Sequence, residues 1–181
     1  MARAARDRGA QVTLVSGPTA LTTPVGVTFR PIVSAREMYE AVMEATRQAD
    51  ALIMAAAVAD YRPARAEKQK IKKDEGGLAL ELVRNPDILS AVCTELAHRD
   101  PPLIAIGFAA ETENLVENAR LKLARKGLDL IVANPVPATF GAEGTEVTLI
   151  DREGNVDRWP PLPKSEIAER IVDWLVRRLA G

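Results

Sequence analysis

The segment "LIAIGFAAETENLVENARLKLARKGLDLIVAN", residues 103–134, decides the fold class. Its apolar run at 103–111 predicts a buried strand, and a second apolar run at 128–134 predicts another. Between them, residues 114–126 predict a helix that Gly127 ends, since glycine is favoured just past a last helical turn. A strand, a helix and a strand in succession are typical of an α/β fold with a parallel sheet.

The flanking sequence continues this alternation. Towards the N-terminus, residues 2–8 predict a helix that Gly9 stops, and residues 11–17 predict a strand. A capping box, Ser34 with Glu37, predicts the start of the next helix. The other predicted features are a core-facing stripe of Met38, Ala41, Val42 and Ala45, a buried strand at 51–57, a hairpin arm at 68–83 that turns at Gly76-Gly77, a helix that begins at Asn85-Pro86, a hairpin of 145–151 with 156–160, and an amphipathic helix at 165–179 with a core stripe of Ile167, Ile171, Trp174 and Leu175.

These elements predict a three-layer α/β fold, Rossmann-like, with a mainly parallel sheet and a basic hairpin arm. The 181 residues suffice for one domain with its own core. We find no internal repeat, low-complexity tract or domain boundary, so we expect residues 1–181 to form a single domain.

Composition argues against several functional classes. The net charge is −1, so no overall field attracts nucleic acid or an acidic membrane, and any anion site must depend on local charge. Cys93 and His98 are each the only residue of their kind, which argues against a disulfide framework, a cysteine-based metal site and a Ser-His relay. We interpret Cys93 as a small core residue. No apolar run is long enough to cross a membrane and no signal peptide is evident, so we expect a cytoplasmic protein.

The ends of the predicted strands are the places to look for a site, because ligands of open α/β sheets bind at the carboxyl ends of the strands. Three segments follow apolar strands, at 55–62, 107–111 and 133–140. In the first, small alanines would let a flat base or a sugar approach the backbone. The polar residues that these segments carry include Asp60, Glu111 and Asn134.

Positive charge is concentrated just after the first of these segments. The cations are Arg62, Arg65, Lys68, Lys70, Lys72 and Lys73. Such a cluster suits a polyphosphate, because lysine is a movable point charge, but it is equally typical of an edge strand protected from aggregation. Lys122 and Lys126 lie four residues apart and share one helix face, and by themselves they are more typical of solvated surface.

Glycine-rich phosphate loops are missing from the sequence, which contains neither a P-loop nor a G-x-G-x-x-G motif. A Rossmann-type nicotinamide oxidoreductase would carry such a motif and an acid after its second strand, and Gly17-Pro18 stands in that place. That alternative is therefore disfavoured. The loop would lie between a first strand and a first helix, and we expect this chain to begin after it.

The motifs that carry a family resemblance are "AAAVADYRP" (55–63), "KIKK" (70–73), "VRNPDIL" (83–89), "GFAAET" (107–112) and "ARLKLARKGLDLIVAN" (119–134). In this order they resemble phosphopantothenoylcysteine synthetase, also called phosphopantothenate–cysteine ligase. The similarity extends from "RGAQVTLVSGP" (8–18) to the final helix. Each motif alone is weak, and their ordered series is specific.

The resemblance implies a two-step ligase reaction in coenzyme A biosynthesis. The carboxylate of 4′-phosphopantothenate attacks the α-phosphate of CTP and expels pyrophosphate, which gives an acyl-cytidylate. The amine of cysteine then attacks the acyl group and releases CMP. Two anions must meet in the first step, so lysine and Mg²⁺ would offset their repulsion.

The resemblance also implies a nucleotide site. Lys70 would meet the triphosphate and is the predicted catalytic residue. The residues that would bind nucleotide are Met54, Ala55, Ala56, Asp60, Lys70, Val83, Arg84, Asn85, Pro86, Phe108, Lys122 and Lys126. No metal ligand is assigned.

The sequence departs from the family pattern at three places. The family's opening strand and glycine-rich segment, with an asparagine for the second half-reaction, do not precede Met1, so we expect an N-terminally truncated synthetase domain. Pro135 stands where aspartate is usual, and Thr145 where asparagine is frequent. The resemblance further implies a homodimer and a fused or associated flavin-dependent decarboxylase. A non-catalytic nucleotide-binding or assembly fragment remains the alternative.

Overall fold

A computed structural model describes residues 1–65, 69, 78–135 and 144–180 of the chain. Its helices are α1 (Ala2–Asp7), α2 (Ala35–Thr46), α3 (Ile88–Glu95), α4 (Leu115–Lys126) and α5 (Lys164–Ala180). Its strands are β1 (Thr13–Ser16), β2 (Thr28–Pro31), β3 (Ala51–Met54), β4 (Tyr61–Pro63), β5 (Leu82–Arg84), β6 (Ile104–Glu111), β7 (Leu130–Pro135), β8 (Thr145–Asp151) and β9 (Val156–Leu162).

The main sheet has five strands in the order β3-β6-β7-β8-β9. The first three are parallel, and the hairpin of β8 and β9 extends them in antiparallel fashion. Strands β1 and β2 form a separate parallel pair, and β4 and β5 an antiparallel one. The predicted Rossmann-like α/β class is confirmed, and the predicted hairpin at 145–160 forms the antiparallel side of the sheet.

Strand β6 lies inside the sheet because both of its faces are apolar. Ala105 and Ala109 belong to a buried cluster with side chains of α3 and α4. Ile104 and Ile106 point to the opposite face, where they share a cluster with side chains of α5. Small residues on one face and branched residues on the other let helices pack on both sides, which produces the three layers.

Helix α2 begins with the predicted capping box. The Ser34 hydroxyl accepts a hydrogen bond from the Glu37 amide at 3.2 Å. In return, the Glu37 carboxylate accepts hydrogen bonds from the backbone amides of Val33 and Ser34. Met38, Ala41 and Val42 are buried as predicted. The prediction for Ala45 is wrong, since this side chain is only half-buried and Met43 and Thr46 face the core instead. The buried Thr46 hydroxyl donates to the carbonyl of Val42 at 2.8 Å, which satisfies it within the helix.

Two predicted element boundaries are wrong, the end of β3 and the start of α3, and both lie near the candidate functional site. The strand predicted at 51–57 ends at Met54; it is half-buried, and residues 55–57 are exposed. Helix α3 does not begin at Asn85-Pro86. Asp87 caps it, by accepting a bond from the Ser90 amide at 3.2 Å, because the side chain of Asn85 is engaged elsewhere.

The predicted ends of the later helices fit the structure better. Gly127 adopts the left-handed conformation, with φ of 68°, and closes α4 as expected. Helix α5 buries Ile167, Ile171 and Leu175 of its predicted stripe, and Trp174 is half-buried and packs against the same cluster. Neither α5 nor any other helix among the described residues is long and apolar enough to cross a membrane.

Only part of the basic arm is described, namely position 69 and residues 78–83. Strand β4 pairs with β5 in antiparallel fashion, with Tyr61 opposite Arg84. The segments that precede and follow the arm therefore lie next to each other. Most of the hairpin predicted at 68–83, including Lys70, lies outside the described residues. Strand β2 was missing from the sequence-based prediction, since "TFRP" at 28–31 is too short and mixed to show a period of two.

Candidate functional site

A cleft of about 150 Å³ opens at the carboxyl ends of β3 and β6. This is where a doubly wound sheet is expected to bind a ligand. The residues that line it are Met54, Ala56, Val58, Ala59, Asp60, Asn85, Pro86, Asp87, Ile88, Leu89, Phe108 and Lys126. They come from the end of β3, the loop that follows it, the start of α3, strand β6 and the last residue of α4.

Most of the predicted nucleotide residues meet in this cleft. Those that line it are Met54, Ala56, Asp60, Asn85, Pro86, Phe108 and Lys126. Those that lie outside its lining are Ala55, Val83, Arg84 and Lys122. Lys70 lies outside the described residues. Five lining residues were missed, Val58, Ala59, Asp87, Ile88 and Leu89, although all five fall inside the motifs at 55–63 and 83–89.

The floor of the cleft depends on close packing at Gly107. This residue pairs with Met54 across the parallel strands β3 and β6. A Cβ at position 107 would lie 2.7 Å from a methyl carbon of Leu128 and 2.9 Å from one of Leu89. Because Leu89 lines the cleft, glycine at 107 lets α3 approach the sheet closely enough to form that wall.

Asn85 ties the rim of the cleft together. Its side-chain amide donates to the carbonyl of Ala59 at 2.8 Å, and its backbone amide donates to the carbonyl of Asp60 at 2.8 Å. Its side-chain oxygen accepts a bond from the Arg62 guanidinium at 3.0 Å, and Arg62 also donates to the carbonyl of Arg84 at 2.7 Å. Asn85 and Arg62 therefore hold the loop at 59–60 against the start of α3.

Asp87 and Lys126 form an ion pair on the wall of the cleft. The Lys126 ammonium lies 3.0 Å from both carboxylate oxygens of Asp87. The Lys126 side chain is 20% exposed and that of Asp87 46%. Partial burial alone would raise the pKa of Asp87, but the bonds from Lys126 and from Ser90 outweigh it and hold that pKa below its ordinary value. The carboxylate is therefore ionised at neutral pH.

The neighbouring lysine of α4 has a different role. Lys122 donates to Glu111 at 2.8 Å, and Asn118 donates to the other oxygen of the same carboxylate at 3.3 Å. The Glu111 side chain is 15% exposed and that of Lys122 is 35% exposed. Both oxygens of Glu111 are thus engaged, and the pair ties α4 to the end of β6 outside the cleft lining.

The described part of the basic cluster is used mostly within the protein. The guanidinium of Arg84 lies over the ring of Tyr61, 5.9 Å from its centre, and joins β4 to β5. Arg62 bonds to Asn85 and to the Arg84 carbonyl, and Arg65 is exposed. For Arg62 and Arg84 the geometry favours a structural role at the base of the arm. The lysines at 68, 70, 72 and 73 lie outside the described residues.

A second, wider cavity lies at the ends of β7 and β8. Its volume is about 560 Å³, and its lining includes Glu117, Pro135, Glu146, Thr148 and Arg158. None of the predicted nucleotide residues lines it. The buried Thr145, which precedes the lining residue Glu146 in β8, has a hydroxyl without a hydrogen-bond partner in the described part of the chain.

Cys93 has the environment of a core residue. It is half-buried and packs against the cluster between α3, α4 and the sheet. Burial raises the pKa of its thiol, which lowers the fraction of reactive thiolate. This environment supports the interpretation of Cys93 as packing.

Within residues 1–65, 69, 78–135 and 144–180, no three of the histidine, cysteine, aspartate and glutamate side chains form a group that could hold a metal ion. Mg²⁺ commonly binds through one or two carboxylates together with substrate phosphates. Asp60, the cleft carboxylate outside the Lys126 pair, suits an ion that arrives with a nucleotide.

Comparison with known proteins gives consistent matches along the chain. The family model for the "DNA/pantothenate metabolism flavoprotein C-terminal domain" matches residues 1–179. The "Coenzyme A biosynthesis bifunctional protein CoaBC" of Bacillus subtilis is 42% identical over 176 residues, which cover 95% of this chain and 42% of the relative. The protein of the same name from Mycobacterium tuberculosis strain H37Rv is 42% identical over 191 residues, covering 100% of this chain and 46% of the relative.

A solved structure shares both the fold and the sequence. It is described as the C-terminal domain of the coenzyme A biosynthesis bifunctional protein CoaBC, and it superposes with a TM-score of 0.81 at 38% identity. The match covers 99% of this chain and 80% of that structure. The chain spans less than half the length of the curated relatives that it matches.

Proposed function

The chain belongs to the DNA/pantothenate metabolism flavoprotein C-terminal domain family, and on that premise we propose that it is a phosphopantothenate–cysteine ligase domain of coenzyme A biosynthesis. It would join 4′-phosphopantothenate to cysteine through an acyl-cytidylate, with CTP as the activating nucleotide. The observation that carries the proposal is the cleft at the ends of β3 and β6. Seven residues assigned to a nucleotide from sequence alone come together there from segments far apart in the chain.

The chemistry of the cleft suits a nucleoside better than a whole nucleotide. Eight of its twelve lining residues have apolar side chains, while polar atoms make up most of the surface that the cleft exposes. Its volume of about 150 Å³ is small beside the roughly 300–1,000 Å³ of typical ligand pockets. We therefore place the nucleoside in the cleft and the phosphates beyond its rim, on the side of Asp60.

Charge neutralisation is the main requirement of the first step. A carboxylate must approach the α-phosphate of CTP, and cations that offset the repulsion lower the barrier. We propose Lys70 as the catalytic residue and Mg²⁺ as the ion carried in by the triphosphate, with Asp60 at the rim as its protein contact. Mg²⁺ would neutralise charge on the phosphates and polarise them towards attack.

The wider assembly is part of the same proposal. We propose a single synthetase-type domain that works as a homodimer in the cytoplasm. The relatives are described as bifunctional, and we propose a flavin-dependent decarboxylase as the fused or associated partner of this domain. The substrates would be CTP, 4′-phosphopantothenate and cysteine.

Nucleotide binding is the first test. CTP with Mg²⁺ should raise the melting temperature of the chain, and should do so more than NADPH does. Free CTP at about a hundred times its Kd would stabilise the folded state by about 2.7 kcal/mol. An equal or greater shift with NADPH, or no shift with CTP, would remove the assignment of the cleft to CTP.

Pyrophosphate release is the second test. The protein should release pyrophosphate from CTP when 4′-phosphopantothenate is present, and should form the cysteine adduct only after cysteine is added. Lys70→Gln should lower the release at least tenfold, which corresponds to about 1.4 kcal/mol of transition-state stabilisation. CTP binding without pyrophosphate release would favour the non-catalytic alternative.

A further inference from the structure

The wider cavity, at the end of β7 and the start of β8, is separate from the cleft assigned to the nucleotide. The two linings share no residue. The volume of about 560 Å³ falls inside the roughly 300–1,000 Å³ of typical ligand pockets. Its walls are the first turn of α4, the end of β7 and the hairpin of β8 and β9. The cavity is therefore large enough for a ligand of its own.

Thr148 places a buried hydroxyl on the wall of this cavity. The residue is only 5% exposed, and among the residues that the structure describes its hydroxyl has no hydrogen-bond partner. Ile150, two positions further along β8, packs with side chains of α4, so Thr148 points to the same side of the sheet. Buried polar groups are nearly always hydrogen-bonded, so this hydroxyl indicates a partner from outside the chain.

Hydrogen-bond donors surround that hydroxyl. Arg158 of β9 lies directly opposite Thr148, and such cross-strand side chains are neighbours on one face. Arg158 is exposed and forms no ion pair or hydrogen bond with another described residue. Helix α4 begins at the same cavity, and its N-cap residue Asn114 makes no side-chain cap, so the first-turn amides carry uncompensated positive character. Guanidinium, hydroxyl and amides together suit a carboxylate.

Two acids line the same cavity and restrict the choice of ligand. They are Glu117, in the first turn of α4, and Glu146, in β8, and neither has an ion-pair partner among the described residues. A simple anion would be attracted by Arg158 but repelled by both carboxylates. A bare cation would meet the opposite conflict. Charges of both signs in one cavity favour a ligand that also carries both signs, which is a zwitterion.

We propose that this cavity binds a free α-amino acid with an uncharged side chain, an inference that goes beyond the proposed function and does not depend on it. The carboxylate of the amino acid would pair with the Arg158 guanidinium and accept a hydrogen bond from the Thr148 hydroxyl. Arginine and a carboxylate form two parallel hydrogen bonds, which also fix the orientation of the ligand. The ammonium would donate to Glu117 and Glu146.

The rest of the lining decides the kind of side chain. Leu115, Val116 and Pro135 give the cavity an apolar part beside its charged groups. A charged side chain would lose its hydration there without gaining a partner, whereas an uncharged one would not. Leucine meets this requirement, and so does cysteine, which the proposed ligase reaction would consume.

The experiment follows the binding of L-leucine and of L-cysteine by NMR of the ¹⁵N-labelled protein. Both amino acids should shift the amide resonances of Leu115, Val116 and Thr148, and should leave those of Ala56 and Phe108 in the nucleotide cleft unchanged. Two analogues of leucine each lack one charge. The methyl ester has no carboxylate and 4-methylpentanoate has no ammonium, so each should bind at least about tenfold more weakly than leucine.

Arg158→Gln tests the carboxylate contact. Because glutamine cannot replace the charged fork of arginine, the affinity for leucine should fall at least about tenfold. Arg36→Gln is the matched control, since it removes the same charge from an exposed pair on α2 that does not line the cavity. Its affinity for leucine should stay within about twofold of that of the unaltered protein. An equal fall in both variants would assign the effect to net charge and would overturn the proposal.

Thr148→Val separates ligand binding from stability. Valine keeps the shape of threonine and removes a buried hydroxyl that has no partner in the described part of the chain, so the melting temperature should be unchanged or higher. The affinity for leucine should nevertheless fall. A lower melting temperature with unchanged affinity would show that the hydroxyl serves the fold, and would overturn its role in binding.

Three results would overturn the amino acid site as a whole. The first is the absence of any shift with either amino acid. The second is binding of 4-methylpentanoate as tight as that of leucine, which would assign the cavity to anions. The third is a set of shifts confined to the nucleotide cleft. Because none of these measurements uses CTP, failure of the proposed nucleotide function would leave this inference standing.

Discussion

Two lysines of α4 look equivalent in the sequence, but the ion pairs that they form differ in the structure. Lys122 and Lys126 lie one helical turn apart on the same face. In the Glu111–Lys122 pair the acid is the more buried partner, since the Glu111 side chain is 15% exposed. In the Asp87–Lys126 pair the lysine is the more buried partner, since the Lys126 side chain is 20% exposed. The first pair lies outside the cleft lining and the second lies within it.

The difference follows from where each acid lies. Glu111 ends a buried strand, and two side chains of α4 occupy both of its oxygens, so the pair ties the helix to the sheet. Asp87 stands before the first turn of a short helix and keeps an open side towards the cleft. A covered acid with filled oxygens serves the fold, and an open acid with a spare acceptor can serve a ligand.

The largest effect is expected where α3 and the end of α4 pack against the sheet at Gly107. In Gly107→Ala, the new Cβ would meet Leu89 of α3 and Leu128 just after α4 at less than 3 Å. We expect a loss of about 1–3 kcal/mol in unfolding free energy, as is typical of overpacking. Urea denaturation measures it. Gly17→Ala is the matched control. A Cβ at position 17 would lie 3.9 Å from the nearest side-chain atom, so this position should tolerate the change.

The next effect concerns the pair that serves the fold. Glu111→Ala leaves Lys122 and Asn118 without their carboxylate partner, and we expect a loss of about 1–2 kcal/mol in unfolding free energy. Exposure of Lys122 keeps the value low, since water can replace part of the interaction. A double-mutant cycle with Lys122→Ala should show that the two residues are coupled. Additive losses would show that the pair does not stabilise the fold.

A smaller loss of stability is expected at the cleft. Asp87→Ala removes the cap of α3, which typically costs about 1 kcal/mol. Asp87→Ser restores a capping oxygen and should recover most of this stability in urea denaturation. No recovery in Asp87→Ser would show that the pair with Lys126 stabilises the fold more than the cap does.

The smallest effect is a dependence on pH. The pKa of Asp87 is lower in the folded protein than in the unfolded chain, so its ionised form stabilises the fold above the unfolded pKa. This contribution is lost as the pH falls through the folded pKa. We expect the unfolding free energy of Asp87→Asn to fall less steeply with acid than that of the unaltered protein. Parallel curves for the two proteins would contradict the lowered pKa.

The sequence predicted the scaffold well where local patterns were strong. The capping box of Ser34, the glycine stop at Gly127 and the buried strand at 103–111 all depend on neighbouring residues, and all three occur. The prediction was weaker where the boundary of an element depends on a contact with residues far along the chain. The helix start moved from Asn85 to Asp87 because Ala59 and Arg62 engage the Asn85 side chain.

The cleft shows the same limit in the residues that line it. Family resemblance selected seven residues that line it but missed Asp87, which looked like an ordinary helix cap in "VRNPDIL". No local signal in the sequence joins Asp87 to Lys126, because the two are separated by 39 positions and meet only when α3 and α4 pack together.

By itself, the sequence determined the α/β class and the order of most elements, and it predicted three strand ends as places for a ligand, the first of which borders the cleft. These depend on short-range periodicity and on the rule that ligands bind at the carboxyl ends of parallel strands. Only the tertiary structure decided which of two equivalent lysines faces the cleft and which acid completes its wall. That choice depends on packing between distant segments, where Gly107 sets how closely α3 approaches the sheet.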